Sequence, residues 1–334
     1  MPDRSSDVPS ANADGADARP FTLAHLSDLH ATAVRIHSPL EIANKRALGW
    51  LSWWRRRRKE HLPRVLEALI EDLHATGTDH VGVTGDLTHL GLASEIAEAT
   101  SWIHRIGPPS SVSVVPGNHD AYAGDGGSER WSPWGAYMTS TGFATTRTGV
   151  AASPAAADGD GEGFPYVRRL GRVAVVGVSS ARPTGPLLAT GRLGAAQRER
   201  LEAALGELGR AGIFRAVLMH HPPVAAGQSR RRQLEDGAEL RALLARTGAE
   251  LVLHGHTHRT HFATLPGPQR AIPVVGVPSS SSIGRRPGRG ARYHIYRIVP
   301  TGGAAGPPDF ALSFSARSFD PARGSFVATE EGSL

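Results

Sequence analysis

The 334-residue chain contains no cysteine. A disulfide framework and thiolate-ligated zinc are therefore excluded, and any metal must be held by His, Asp, Asn or Glu. Lysine is almost missing as well: Lys45 and Lys59 are the only two, so the formal net charge of +6 rests on arginine. Such a balance favours anionic partners without separating nucleic acid, phosphate esters and anionic lipid. No apolar run approaches the ~18–20 residues that span a bilayer. The opening stretch "MPDRSSDVPSANADGADARP" lacks the apolar centre of a signal peptide. These absences predict a cytoplasmic protein, with peripheral attachment to the inner face of the membrane left open. No internal repeat is evident. There is no G-x-S-x-G nucleophile signature, and no basic strand interleaved with aromatics on which bases could stack, so nucleic acid is not the expected partner.

What is present reads as a globular chain, 40% hydrophobic and 20% charged, punctuated by 39 glycines and 24 prolines. Residues 1–19 read as a disordered tail, 20–318 as the folded domain, and 319–334 as a C-terminal tail. Five β-rich runs end in polar loops: "FTLAHLSDLH" (21–30), "DHVGVTGD" (79–86), "SVSVVPGNHD" (111–120), "FRAVLMHHPP" (214–223) and "AELVLHGHTH" (249–258). Between them, Leu62, Val65, Leu66, Leu69, Ile70 and Leu73 follow helical spacing, with Pro63 near the start. Further helical patterns cover 93–106, 194–208 and 236–247. Alternating strands and helices predict an α/β sheet with helices on its faces, and ligands in such sheets sit beyond the carboxyl ends of strands. The stretch 166–180 reads as a hairpin about Gly171-Arg172. Segments 260–265, 272–277, 291–299 and 309–316 read as strands of a second sheet. The Gly- and Ala-rich stretch 149–163 reads as a mobile surface loop.

The stretch "LHGHTHRTH" puts four histidines into residues 253–261, and a neutral imidazole is the commonest metal ligand. Asp28 and His30 in "SDLH" are two apart, and in extended chain such residues share a face about 6.6–7 Å apart. His256 and His258 have the same relation. Either pair can serve one ion, or each member a different ion of a pair roughly 3.5–4 Å apart. Asp86 follows Gly85 after an apolar run and has two carboxylate oxygens with which to bridge. Asn118 offers an amide oxygen, and a further strand ends in His220 and His221, between which adjacency alone does not choose.

The ordered series D-x-H (28–30), G-D (85–86), G-N-H-D (117–120), His220 and G-H-T-H (255–258) resembles the motif set of the calcineurin-like metallophosphoesterases, over roughly residues 21–300. The resemblance implies an α/β, four-layer sandwich of two mixed β-sheets flanked by helices. It implies two divalent cations, from Mn, Fe, Zn or Co, with Asp28, His30, Asp86 and His258 on one and Asp86, Asn118, His220 and His256 on the other. Asp86 would bridge. It also selects His220 over His221, and makes His119 the group that stabilises the transition state or protonates the leaving oxygen. Asp120 is expected to orient a neighbouring imidazole, and His254 and His261 to be bystanders or supporting groups.

Two divalent cations bring +4, two carboxylates remove two charges and a bridging hydroxide one more, leaving a site that attracts phosphate. Metal-activated hydroxide is then the nucleophile, attacking a phosphodiester or pyrophosphate. The insert "NKRALGWLSWWRRRRKEH" (44–61) sets Ala47, Trp50, Leu51 and Trp54 on one helical face, followed by the cations Arg55 to Lys59. Trp beside a polybasic run suits an anionic membrane surface, reached through 46–59; alternatively the helix caps its own core. The insert resembles that of UDP-2,3-diacylglucosamine hydrolases, a lipid-linked pyrophosphatase activity, while the motif order also resembles cyclic-nucleotide phosphodiesterases. A catalytically silent scaffold on the same fold is the alternative outside enzymes. "RRR" (230–232) and "GRRPGRGAR" (284–292) are candidates for gripping substrate phosphates.

Overall fold

A computed structural model describes residues 19–123, 128–143, 163–301 and 309–334. Apart from Arg19 and Gly163, the tail expected over 1–19 and the loop expected over 149–163 lie outside the described residues.

Two six-stranded sheets form the centre. The first has the order β12-β11-β10-β1-β2-β3, built from β1 (Phe21–Leu26), β2 (His80–Val83), β3 (Val112–Val114), β10 (Arg292–Pro300), β11 (Phe310–Asp320) and β12 (Ser325–Ser333). The second has the order β4-β5-β6-β7-β9-β8, from β4 (Tyr166–Leu170), β5 (Val173–Gly177), β6 (Phe214–Leu218), β7 (Leu251–His254), β8 (His261–Leu265) and β9 (Ile272–Gly276). Both are mixed: β1, β2 and β3 run parallel, as do β5, β6, β7 and β9, while β10, β11, β12, β4 and β8 pair antiparallel to their neighbours.

The parallel strands β2, β3, β5, β6 and β7 are fully buried, as runs such as "HVGV" and "FRAVL" require. The hairpin at 166–177 turns on Gly171, whose φ of 64° suits a residue without Cβ. Among the helices are α1 (Arg46–Ser52), α2 (Arg58–Glu60), α3 (Pro63–Thr76), α4 (Ala93–Ile106), α5 (Ala195–Arg210) and α6 (Gly237–Thr247). Pro63 opens α3 and Gly77, at φ 63°, closes it. Its face Val65, Leu66, Leu69, Ile70 and Leu73 joins one continuous core with residues of both sheets and α4. A second core packs α5 and α6 on the outer face of the second sheet. The layers are therefore helix, sheet, sheet, helix, as the resemblance implied.

Four expectations change. The five loop-ending strands divide, β1 to β3 in one sheet and β6 and β7 in the other. The later strands divide too: β8 and β9 complete the second sheet, whereas β10 and β11 complete the first. Residues 319–334, expected as a tail, instead supply the end of β11 and all of β12, which pairs with β11 from Asp320↔Ser325 onward. Phe326 is the apolar anchor of β12, 5% exposed against Tyr293 and Phe319. The insert also departs from an ideal amphipathic helix. Trp53–Arg57 is a π-helical segment between α1 and α2, and its wider turn rotates the faces. Trp50 and Trp53 pack on Val34, Leu90 and Leu92, while Ala47 and Trp54 are exposed. No described helix is long and apolar enough to cross a membrane.

Candidate metal centre

The candidate ligands stand on loops just past the carboxyl ends of five strands, three from the first sheet and two from the second. They do not continue the strands in extended form, as the like-facing argument expected. Asp28, His30, Asp86, His256 and His258 have φ between 42° and 66°, five of the seven described non-glycine residues with positive φ. Such left-handed backbone is unfavourable for L-residues and persists where surrounding structure imposes it. Here the imposing contacts include Asp28 N–H to Gly85 O at 2.9 Å and His30 N–H to Asp86 O at 3.2 Å. Gly117 allows the loops to meet, since a Cβ there would collide with the Asp86 carboxylate and backbone nitrogen.

Backbone carbonyls orient the imidazoles. His30 Nδ1 donates to Thr88 O at 2.7 Å, so Nε2 faces Asp86 Oδ2 at 3.7 Å and Asp28 Oδ1 at 4.0 Å. His220 Nδ1 donates to Thr84 O at 2.7 Å, turning Nε2 toward Asn118 Oδ1 at 3.2 Å and Asp86 Oδ2 at 3.3 Å. His256 Nε2 donates to Arg232 O at 2.9 Å, and His258 Nε2 lies 3.0 Å from Asp28 Oδ1. Donor atoms of Asp28, His30, Asp86 and His258 all lie within 4.8 Å of one another, and so do those of Asp86, His220 and His256. Asp86 is common to both groups.

The residues fit a pair of divalent cations. Asp28 Oδ1 is buried without a properly directed hydrogen bond despite the nearby His258 nitrogen, as an acceptor directed at a shared ion would be. The donor set of carboxylate, amide oxygen and imidazole suits first-row transition metals. Burial, then the neighbouring His61 and His119, holds His30 well below its ordinary pKa, and burial followed by His220 does the same for His256. Both are thus in the neutral form a ligand needs. Burial would lower His220 too, but the charge and hydrogen bond of Asp86 raise it to about 9, so a cation there must displace a proton. Burial would raise Asp28, yet His258 holds it below the usual carboxylate range.

The structure separates His220 from His221, whose Nδ1 meets Ser180 Oγ at 2.8 Å and whose Nε2 meets Ala189 O at 3.2 Å. His254 is buried away from the two groups, paired with His261 at 3.4 Å. Among the described residues, Asp120 hydrogen-bonds no imidazole. Its carboxylate instead accepts from Gly117 N–H at 2.9 Å and from Thr88 N–H and Oγ1–H at 3.0 and 2.9 Å, which clasps the loop after β2 to the loop after β3. With Leu87 N–H at 3.3 Å, these donors occupy both carboxylate oxygens. His119 sits on the centre: its N–H donates to Asp86 Oδ1 at 2.7 Å, and its Nδ1 donates to His89 O at 2.6 Å.

Three participants were not singled out from sequence. Arg57 Nη1 donates to His119 Nε2 at 2.9 Å. His61 sits edge-on to His30 at 5.0 Å and meets Ser279 and Ser281 hydroxyls. His89 stacks on His30 at 5.1 Å. Both histidines follow quoted motifs closely in sequence, in "RRKEH" and "GDLTH", but only the tertiary fold brings their rings together. Above the centre opens a cavity of about 560 Å³ with Asp86, Asn118, His119, His256 and His258 in its wall.

Residues 21–260 match the calcineurin-like phosphoesterase family model, which places the chain among metallophosphoesterases, a class of phosphoric ester hydrolases. The chain belongs to the calcineurin-like phosphoesterase family. It is 35% identical over 106 residues to a probable cyclic nucleotide phosphodiesterase of Synechococcus sp. (strain WH7803), covering 31% of this chain and 38% of that relative's length. Its fold is similar to that of a dimetal phosphatase from Danio rerio, with a TM-score of 0.58, 11% identity and coverage of 94% and 98% of the two chains. It is also similar to the purple acid phosphatase PPD1 from yellow lupin seeds, with a TM-score of 0.55, 14% identity and coverage of 95% and 54%.

Proposed function

We propose that this chain is a dinuclear-metal phosphohydrolase that cleaves a phosphodiester or pyrophosphate bond. Asp28, His30, Asp86 and His258 would hold one cation and Asp86, Asn118, His220 and His256 the other. The observation that carries the reading is the presence of Asp86 in both donor groups. When bound, the cations supply Lewis acidity toward phosphoryl oxygens and make water a nucleophile near neutral pH. The chain's own residues do the rest. Asn118 and the imidazoles fix the donor geometry, and His119, tied to His89 O through Nδ1, turns Nε2 toward the cavity. That nitrogen accepts from Arg57, so His119 can act as a donor to the leaving oxygen only after the guanidinium moves onto substrate and Nε2 takes up a proton from water. An intact donor set supports an enzyme over a silent scaffold.

Turnover of bis(p-nitrophenyl) phosphate by the full chain with added Mn²⁺ tests this. Bound metal with hydrolysis supports the reading; neither metal nor turnover sinks it.

A peripheral role at an anionic membrane is a second reading, favoured by individually exposed apolar side chains. Leu48, Trp54 and Leu187 are 51%, 46% and 76% exposed, and Lys45 Nζ ties the start of α1 to Thr184 Oγ1 at 2.6 Å. Exposed Leu and Trp beside Arg55 to Lys59 suit a headgroup interface. Replacing Leu48 and Leu187 with Ser should reduce sedimentation with phosphatidylglycerol vesicles; unchanged sedimentation refutes it.

A further inference from the structure

The wall of the cavity opposite the candidate ligands is made of arginine. Arg57 reaches in from the π-helical segment to His119. Arg289 is half-buried and anchored, its Nη1 donating to Thr257 O at 2.9 Å and to His258 O at 3.3 Å. Arg232, whose carbonyl takes the His256 hydrogen bond, lines the same space with Arg285 and Arg286. These side chains come from three separate segments.

Among the described residues none of these five makes an ion pair, whereas Arg215, Arg246 and Arg317 each have an acidic partner. Besides Asp86, Glu60 is the acidic group lining the cavity, and it accepts from Ser282 Oγ at 2.6 Å and from the Arg285 backbone N–H. Crowding by Arg259, Arg286 and Arg232, after burial, lowers Arg289 from its ordinary pKa. Unpaired guanidinium groups collected at one cavity repel each other unless an anion joins them, and each can clamp phosphate in a bidentate fork.

We propose that this arginine wall is a subsite for a second phosphoryl group, so that the substrate is a diphosphate-linked ester. The inference rests on the phosphohydrolase reading and narrows it. Charge decides between the two bond types considered there. A simple or cyclic diester brings one negative charge, which the cation site alone can match, and leaves the arginines without a counterion. A diphosphate diester brings two, on adjacent phosphoryl groups. Arg289 Nη1 is bonded to the carbonyls of Thr257 and His258, which puts its positive charge beside the candidate ligands, while Arg232 lines the same cavity. In the reaction, the oxygen of water bonds to the phosphorus at the ligand loops. The bond from that phosphorus to the bridging oxygen breaks, its electron pair staying on the bridging oxygen. Two phosphate monoesters leave, and the hydrogens of water pass to them or to solvent.

The test needs no catalysis at first. Metal-chelated full-length protein is titrated with inorganic diphosphate and with inorganic phosphate by calorimetry at fixed ionic strength. Diphosphate should bind at least about 10-fold tighter than phosphate, and Arg289→Ala or Arg286→Ala should weaken it about 10-fold, with Arg289→Lys retaining part of the affinity. The Mn²⁺-loaded protein should then prefer UDP-glucose over bis(p-nitrophenyl) phosphate in kcat/KM, and both alanine variants should lower that ratio. Equal binding of phosphate and diphosphate, or unchanged diphosphate affinity in both variants with melting temperatures preserved, overturns the proposal. Diphosphate binding without hydrolysis of any ester would leave the subsite standing and sink the hydrolase reading instead.

Discussion

Replacing Asp86 with Asn keeps the side-chain shape while removing one charge and, in the metal-free protein, its pairing with His220. Asp86 is 1% exposed, and its Oδ1 accepts the His119 N–H at 2.7 Å, a bond that an amide oxygen keeps. The apo fold should therefore survive. The loss falls on the cations, and unequally. Beside Asp86, the first donor group retains Asp28, but the second contains only His220 and His256, with Asn118 adjacent. Asp86→Asn thus leaves the second cation without any anionic ligand. Removing partners of ligands alone typically weakens metal binding 10–100-fold, so at least about 100-fold, or about 2.7 kcal/mol, is expected for a shared ligand. A metal at 100 times its Kd stabilises the fold by about the same amount. For 334 residues, at about 2.1 cal/mol/K of unfolding entropy per residue, that is roughly 4 °C in Tm. The assay is a melting curve with and without Mn²⁺, alongside metal content by mass spectrometry. The wild type should gain several degrees and Asp86→Asn almost none, with turnover down about 1,000-fold. An equal Mn²⁺-induced gain in both proteins would refute the shared-ligand reasoning.

His258→Ala, in contrast, touches only the first donor group and should reduce metal content from about two ions to about one, read by the same measurement. Gly117→Ala drives a methyl into the Asp86 carboxylate; a loss of about 1–3 kcal/mol by denaturant titration and a blunted Mn²⁺ response are expected. His80 is buried on Ser113 Oγ at 2.8 Å, and burial, with Arg168, holds its pKa down to about 3. Because the fold disfavours the charged imidazole, its contribution is complete above the unfolded value near 6.5 and is lost as pH falls toward 3. His80→Gln should flatten the acid limb of a Tm-against-pH curve by roughly 3 kcal/mol between pH 6.5 and 4; an unchanged limb assigns acid sensitivity to other groups.

The order of the motifs, the helices α3 to α6 and the hairpin at Gly171 were legible because each depends on local spacing. Six of the seven candidate ligands fall in two donor groups that share Asp86, and Asn118 lies against His220. What was not legible depends on partners far away in sequence. Strand periodicity does not say which sheet a strand joins, so β10 and β11 were grouped with β8 and β9. Extended geometry suggested shared faces for Asp28 and His30, but their loops are held in left-handed backbone by contacts with residues 85 and 86. A charge run on a helix gives no sign of which member turns inward. The π-helical segment decided that Arg57 meets His119 while Trp54 faces out.

The donor atoms arrive from both halves of the sandwich, and this ties chemistry to alignment. Gly82 of one sheet lies against Leu218 of the other, where an added methyl would sit 3.0 Å from the leucine. Four residues beyond Gly82 and two beyond Leu218 stand Asp86 and His220, whose side chains meet at 3.3 Å. Any change that slides one sheet over the other should be felt by a bound ion before it is felt by the melting temperature, so metal affinity is the more sensitive gauge of how the two layers are stacked.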